Sequence, residues 1–231
     1  MQHEDRVIHF STELFHQPVN HSIPKLQELY FALSKTKASY ESTDFSSKGP
    51  LRLYSHKGEK SKSAVLFMPD RLVLIEEWAD VALGEFRERV ELVVEQAQSI
   101  VGIPVIAAQT ALVRSTFALT HHNDARVFLM ESVCKVREQL PAFGRPLAIG
   151  GLRFVLPETP NHRGTLQVVI EPFKGSPNEI FVEVRGVYNA VRLQADSISQ
   201  AGDNIAAVRQ FIAEQVFAFL NGFDVARDSA H

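Results

Sequence analysis

Two apolar runs in this sequence are joined by a link that allows only one kind of connection. The runs at 63–68 and 71–78 have the residue types of β-strands, and only Pro69-Asp70 separates them. Two residues suffice for a tight turn and nothing longer, so the runs must be neighbouring strands. A third run, at 51–56, is separated from the first by the polar stretch KGEKSK, which is typical of a hairpin loop. The three runs predict an antiparallel sheet.

The first half of the chain places these strands between two helices. Residues 6–15 predict a strand, and in the helix that follows Ser22 can act as N-cap while Pro24 lies in the first turn. After the hairpins, apolar residues at helical spacing predict a long helix with Asp80 as its N-cap. Glu85 and Arg89 are spaced to form an ion pair on its solvent-exposed face.

The second half repeats the order of strand, helix, strands and long helix. A strand at 105–119 precedes a helix at 125–140, which starts at Asp124 and is stopped by Pro141. The last helix begins near Asp203 or Asn204 and ends at Asn221-Gly222. Four strand candidates lie between these helices, at 147–156, 165–173, 179–188 and 190–196.

This repeated order predicts an α+β fold class with two similar halves. Each half would be an antiparallel sheet with helices packed on one face. The halves would span 1–102 and 103–224, followed by a frayed C-terminal tail at 225–231, and they could form a single compact domain.

Helices on one face would leave the other face of each sheet uncovered. The outward side chains mix charge with apolar groups. They fit either cross-strand ion pairs on a solvated sheet or a polar-rimmed interface with a partner or with the other half. Alternation along 179–188 gives two sets: Ile180, Val182 and Val184 toward the helices, and Phe181, Glu183 and Arg185 outward.

Composition narrows the classes of function and the compartment. The chain has 24 Lys and Arg against 27 Asp and Glu, which argues against a general nucleic-acid binder. Cys134 is the single cysteine, so no intrachain disulfide can form, which fits a reducing compartment. The N-terminus lacks the apolar stretch of a secretory signal, and no window reaches about 18 uninterrupted apolar residues. We therefore expect a cytoplasmic protein with no membrane contact.

The adjacent His121 and His122 are the best candidates for a ligand site. Beside Asn123 and Asp124, they have the residue types of a metal site or an acid–base pair. A zinc site needs three or four ligands, however, and Asp124 is too close in sequence to serve easily with both histidines. The structural alternative is that Asn123 or Asp124 caps the next helix and the histidines lie on the loop before it.

Other candidates for chemistry have structural explanations. Cys134 lies inside a predicted helix on an apolar stripe, where free cysteine is often buried and inert. The sequence contains no phosphate-binding loop, dinucleotide fingerprint, nucleophile elbow or zinc-protease motif. We therefore predict no catalytic residue, no metal ligand and no cofactor.

Three stretches carry a resemblance to a known family. They are LFMPDRLVLIEEWADVALGEFRERVELVVEQAQSIVGIPV, VVIEPF and AAVRQFIAEQVFAFLNGF. In these stretches the chain resembles a sporadically distributed family of uncharacterised bacterial proteins of roughly this length. That family has no established activity that the resemblance would assign to residues of this chain.

The repeated order of elements is similar to the duplicated fold of TATA-binding proteins. That resemblance implies a saddle that binds nucleic acid through basic residues and wedge phenylalanines. This acidic chain does not match the basic part of that pattern, and likeness of topology says little about function.

Three functions follow as hypotheses. The first is a non-enzymatic binding or assembly module that uses an exposed sheet face, as a homo-oligomer or in a complex with another protein. The second is an enzyme or small-ligand binder with a polar pocket between the halves near His121 or His122. The third, nucleic-acid binding through a saddle, would need Arg52, Lys57, Lys60, Lys62 and Arg71 to cluster. Candidate ligand-binding residues for the second are His121, His122, Arg153, Glu183 and Arg185.

Overall fold

Nine strands form one antiparallel sheet in the computed structural model, which describes residues 5–46, 49–56, 58, 61–78, 81–194 and 196–226. The predicted α+β class is confirmed, because this sheet packs against a layer of helices. The strands are β1 Asp5–Phe15, β2 Ser42–Asp44, β3 Leu51–His56, β4 Lys62–Met68, β5 Arg71–Glu77, β6 Ala108–Ala118, β7 Leu152–Leu156, β8 Thr165–Pro172 and β9 Glu179–Tyr188.

Both halves of the chain contribute to this one sheet. Its order is β2-β3-β4-β5-β1-β6-β9-β8-β7, so the first strand of each half lies at the centre. The halves join where β1 pairs with β6, with Phe10 opposite Val113 and Leu14 opposite Gln109. From centre to edge, β1-β5-β4-β3 and β6-β9-β8-β7 follow the same order. The boundary at 102/103 stays a prediction, since the sheet continues across the two segments.

The helices are few, and several end in π-helical turns. Ser22 and Pro24 occupy the N-cap and the first turn of α1, as the sequence predicts. The last helix ends at Asn221, also as predicted. The helices are α1 Ile23–Leu33, α2 Leu83–Gln96 with a π-turn Ala97–Val101, α3 Ala125–Val127 with a π-turn Phe128–Val133, α4 Ser199–Phe211 with a π-turn Ile212–Val216, and α5 Phe217–Asn221; Leu140–Phe143 is a 3₁₀ turn.

A single hydrophobic core lies between the helices and one face of the sheet. Its members include Leu14 and Phe86 from the first half and Val184 and Ile205 from the second, all fully buried. The predicted alternation in β9 is correct. Ile180, Val182 and Val184 are buried in the core, whereas Phe181, Glu183 and Arg185 are only half-buried. Packing on one face of each strand therefore fixes the register of the sheet.

The helix predicted at 125–140 is wrong in length. Asp124 caps it as predicted, since its Oδ1 accepts the backbone N–H of Arg126 at 2.8 Å. The helical turns end at Val133, however, and Lys135 has a φ of 56°. That left-handed conformation cannot continue a right-handed helix. Cys134 therefore ends a helix instead of lying within one.

Two predicted strands also need correction. The run at 147–156 forms a strand only over Leu152–Leu156. The described residues of the run at 190–196 form no strand, and Leu193 makes an isolated bridge to Ile106. Its apolar residues Val191 and Leu193 are buried in the core without a neighbouring strand. The predicted N-cap Asp80 and most of the predicted tail, 227–231, lie outside the described residues.

In the described ranges, the structure has no helix long and apolar enough to cross a membrane.

Candidate functional site

The side of the sheet that faces away from the helices is a mixed polar and apolar surface, which we call the open face. Strand register and alternation place its residues in rows that run across neighbouring strands. The open face includes His9, Ser11 and Glu13 of β1, Arg71, Val73, Ile75 and Glu77 of β5, Leu112, Arg114 and Thr116 of β6, Phe181, Glu183 and Arg185 of β9, Val169 of β8, and Arg153 and Val155 of β7.

Two ion pairs join neighbouring strands on the open face. Arg114 donates from Nε to Glu183 Oε2 at 2.7 Å, and Arg71 donates to Glu13 Oε2 at 3.0 Å. Both pairs are partly exposed and join neighbouring strands. Each contributes under about 1 kcal/mol to stability, as expected for such pairs. Each pair offsets one positive and one negative charge on this face.

Several apolar residues of the open face lie outside the core between the helices and the sheet. Leu112 is only 7% exposed and Ala64 only 1%, yet neither belongs to the core cluster between helices and sheet. On the same face Val73, Ile75 and Val169 are half-buried and also lie outside that cluster. The open face therefore carries a second apolar patch, interrupted by the paired charges.

His9 lies near the middle of the open face and is only 8% exposed. Its Nε2 is 2.9 Å from Ser11 Oγ, and its Nδ1 has no hydrogen-bond partner among the described residues. Burial, with a smaller contribution from the nearby Arg114, lowers the pKa of His9 from 6.5 to about 4. The imidazole is therefore neutral at pH 7.

A second polar cluster lies beyond the end of β6 and includes His122. Asp224, only 6% exposed, accepts the backbone N–H groups of Thr120 at 2.6 Å and His121 at 3.0 Å. Its Oδ1 also lies 2.9 Å from His122 Nδ1, and the other ring nitrogen, Nε2, lies 3.2 Å from Ser132 Oγ. These contacts tie the end of the chain to the loop before α3.

The hydrogen-bond directions in this cluster follow from the carboxylate. Burial acts to raise the pKa of Asp224. The hydrogen bonds from His122, Thr120 and His121 outweigh it, so the pKa lies below the usual range and the group is ionised. An ionised carboxylate only accepts, so His122 Nδ1 must donate to it. A neutral ring then leaves Nε2 to accept the Ser132 hydroxyl proton, which is the order of a Ser-His-Asp triad.

The other candidate residues near this loop are less suited to act as nucleophile, acid–base group or metal ligand. The His121 side chain is exposed, and Asp124 serves as the helix cap. Burial raises the pKa of the Cys134 thiol, which disfavours a reactive thiolate. Within the described part of the chain, no group of three His, Cys, Asp or Glu residues could hold a metal ion.

The structure does not unite the residues predicted for a pocket between the halves. Arg153, Glu183 and Arg185 lie on the open face. His122 instead packs its ring 4.9 Å from that of Phe128, a fully buried core residue on the helix side. All members of the His122 cluster come from the second half of the chain, so this cluster is not a site between halves.

Sequence reasoning missed three residues of these sites. His9 could have been found, because alternation along RVIHFSTEL places it on the same side as Ser11 and Glu13. Ser132 and Asp224 carry no local signal. They approach His122 from 10 and 102 residues away in sequence, and only the tertiary fold brings them together.

Comparisons with known proteins do not assign a family. No family model matches the chain, and no curated protein matches it. Among solved structures, the aspartate kinase of Clostridium acetobutylicum is similar over 88% of this chain, with 9% sequence identity and a TM-score of 0.25. The match spans only 33% of the length of that kinase chain. So low a TM-score carries no argument about fold or function.

Proposed function

We propose that this chain is a binding and assembly module that holds another protein on its open face. The observation that supports it is the apolar content of the open face: Leu112, Val73 and Val169 all lie outside the core. Apolar side chains interspersed with polar groups on an accessible surface are typical of protein–protein interfaces. A sheet face with helices only on its other side offers a rigid platform for such a contact.

The charges of the open face favour a protein partner over nucleic acid. Arg52, Lys62 and Arg71 do lie on this face, as the saddle hypothesis requires, whereas Lys57 and Lys60 lie outside the described residues. Arg52 is paired with Asp44 at 3.0 Å, and Arg71 with Glu13 at the same distance. Arginines already neutralised by carboxylates are poor phosphate ligands. A surface that mixes apolar residues with ion-paired arginines fits the surface of a folded protein.

Two lysine substitutions on the open face test this proposal. Val73→Lys and Val169→Lys each put a charge into the apolar patch. Each new lysine would face a glutamate on the neighbouring strand, Glu13 or Glu183, which should preserve the fold. We expect either change to weaken co-purification of the partner from the native cells by at least about tenfold, because burying a charged ammonium group in an interface carries a desolvation cost.

The matched control is Phe31→Lys on α1, an aromatic that is 63% exposed and lies away from the open face. It should leave both thermal unfolding and co-purification unchanged. Equal binding by the two valine variants and the control, with all three folded, would contradict a binding role for the open face.

The second candidate function is hydrolysis of an acyl ester, and the Ser132-His122-Asp224 arrangement supports it. In that reaction Ser132 Oγ attacks the acyl carbon while its proton moves to His122 Nε2. The imidazolium, stabilised by Asp224, then protonates the departing alcohol. Water hydrolyses the acyl-serine by the same route, which returns the acid and the free hydroxyl. Ser132 lies on a π-helical turn, a feature that is frequent at functional sites.

A fluorophosphonate probe tests the triad directly, because it reacts with activated serines. We expect stoichiometric labelling of Ser132 and loss of the label in Ser132→Ala. Ser176→Ala, which removes a serine bonded to Asn178 at 2.8 Å, is the control and should keep full labelling. If wild-type protein takes up no label, the cluster only holds the segment around Asp224 against the loop before α3, and the enzymatic candidate is wrong.

A further inference from the structure

The strand β7 ends the sheet with an unprotected edge. It pairs with β8 on one side, and no described strand pairs with its other side. At the opposite end of the sheet, β3 is covered by the short strand β2. Proteins usually protect edges with lysine, proline, a bulge or a very short strand. The β7 sequence LRFVL contains neither lysine nor proline, and Arg153 is its one charged residue.

An apolar groove runs along this edge on the helix side. Phe154 and Leu156 of β7 line it together with Phe211 and Phe219 from the last helical segment, and its volume is about 240 Å³. Phe154 packs edge-to-face against Phe219 with ring centroids 6.3 Å apart. Both rings remain about 40% exposed. Open backbone hydrogen-bonding groups therefore lie beside an open apolar groove.

The side chains of β7 are self-complementary under a twofold axis. An axis perpendicular to the sheet at Phe154 pairs β7 with a second β7 in antiparallel orientation. Leu152 then faces Leu156 of the second copy, and the two Phe154 rings meet at the axis. On the open side, Arg153 faces Val155 of the second copy, so no like charges oppose each other. The two grooves adjoin, and the exposed aromatic rings cover each other.

We propose that two copies of this chain pair through β7 and form a dimer. Their two nine-stranded sheets become one sheet, and the two open faces become one continuous surface. This inference goes beyond the binding role of the open face, because it uses the strand edge and the helix-side groove. Either proposal can fail while the other holds.

Sedimentation equilibrium of the purified chain, with substitutions of opposite charge at Val155, tests the dimer. Val155 is 59% exposed, so substitution should leave the monomer folded. Val155→Lys places a lysine opposite Arg153 of the second copy, and we expect the dimer dissociation constant to rise at least tenfold. Val155→Glu places a carboxylate opposite the same arginine, and we expect equal or tighter dimerisation.

A third variant, at the twofold axis, and a control variant on α1 test the same interface. Phe154→Lys sets two lysines together at the axis and should also abolish the dimer, whereas Phe31→Lys should not affect it. A wild-type chain that stays monomeric at all accessible concentrations overturns the proposal. So does a dimer that responds in the same way to Lys and Glu at position 155, because its interface then lies elsewhere.

Discussion

Replacing Arg89 of α2 by methionine is expected to destabilise the chain more than any surface change. The Arg89 guanidinium pairs with the Glu76 carboxylate of β5, and Ser63 of β4 hydrogen-bonds to both. Glu76 is 2% exposed, and the side chain of Arg89 is 11% exposed. Arg89→Met would leave a buried carboxylate without its cation. We expect the free energy of unfolding to fall by about 3–5 kcal/mol.

Urea unfolding at pH 7 measures this effect, and α2 supplies a matched control. Arg87 on the same helix pairs with Asp203, but both side chains are more exposed, at 34% and 63%. Arg87→Met should therefore cost less than about 1 kcal/mol. Similar losses for the two variants would contradict the assignment of Glu76-Arg89 as a buried pair.

A double variant separates the stability that the ion pair contributes from the destabilisation caused by a buried charge without a partner. Glu76→Leu with Arg89→Met removes both charges and fills the space with apolar atoms. Such replacements of buried pairs are often close to neutral. We expect the double variant to recover most of the stability that Arg89→Met loses.

The second large effect is a loss of stability in mild acid that depends on His9. The folded pKa is about 4, below the unfolded value of 6.5. Between these two pH values the His9 imidazole is protonated in the unfolded chain and neutral in the folded chain. Stability from this residue is therefore fully present above about pH 6.5, and it is lost as the pH falls toward 4. A pKa difference of this size corresponds to about 3 kcal/mol.

The measurement is the free energy of unfolding between pH 7 and pH 4.5 in wild type and in His9→Gln, which cannot titrate. Wild type should lose about 2–3 kcal/mol more than the variant over this range. His121→Gln, which changes an exposed imidazole, should follow wild type. Parallel curves for wild type and His9→Gln would show that His9 titrates normally in the folded protein.

The sequence allowed correct predictions where the signal is local. The two-residue link at Pro69-Asp70 predicts the hairpin of β4 and β5, and alternation in β9 predicts which residues are buried. Asp124 also caps a helix at the predicted start, whereas Ser22 lies at the predicted N-cap position but makes no side-chain capping hydrogen bond. Each of these depends on neighbours within a few residues.

Predictions that depend on tertiary structure were the ones that failed. Arg89 has the spacing to pair with Glu85 along the helix, but in the fold it pairs with Glu76 on the sheet. Val191 and Leu193 resemble strand residues because the core buries them, but Leu193 makes an isolated bridge to Ile106 and does not join a strand of the sheet. The cluster of His122, Ser132 and Asp224 depends on contacts across up to 102 residues. Such contacts leave no periodic pattern in the sequence.

Photo-crosslinking in the native cells is the most direct test of the open face as a binding surface. A photoreactive amino acid is placed at position 73 or 169 on the open face, or at position 31 on α1 as the control. The proposal predicts that both open-face positions form a discrete adduct with another protein, identified by mass spectrometry, and that position 31 does not. Adducts from position 31 alone, or from none of the three positions, would contradict it.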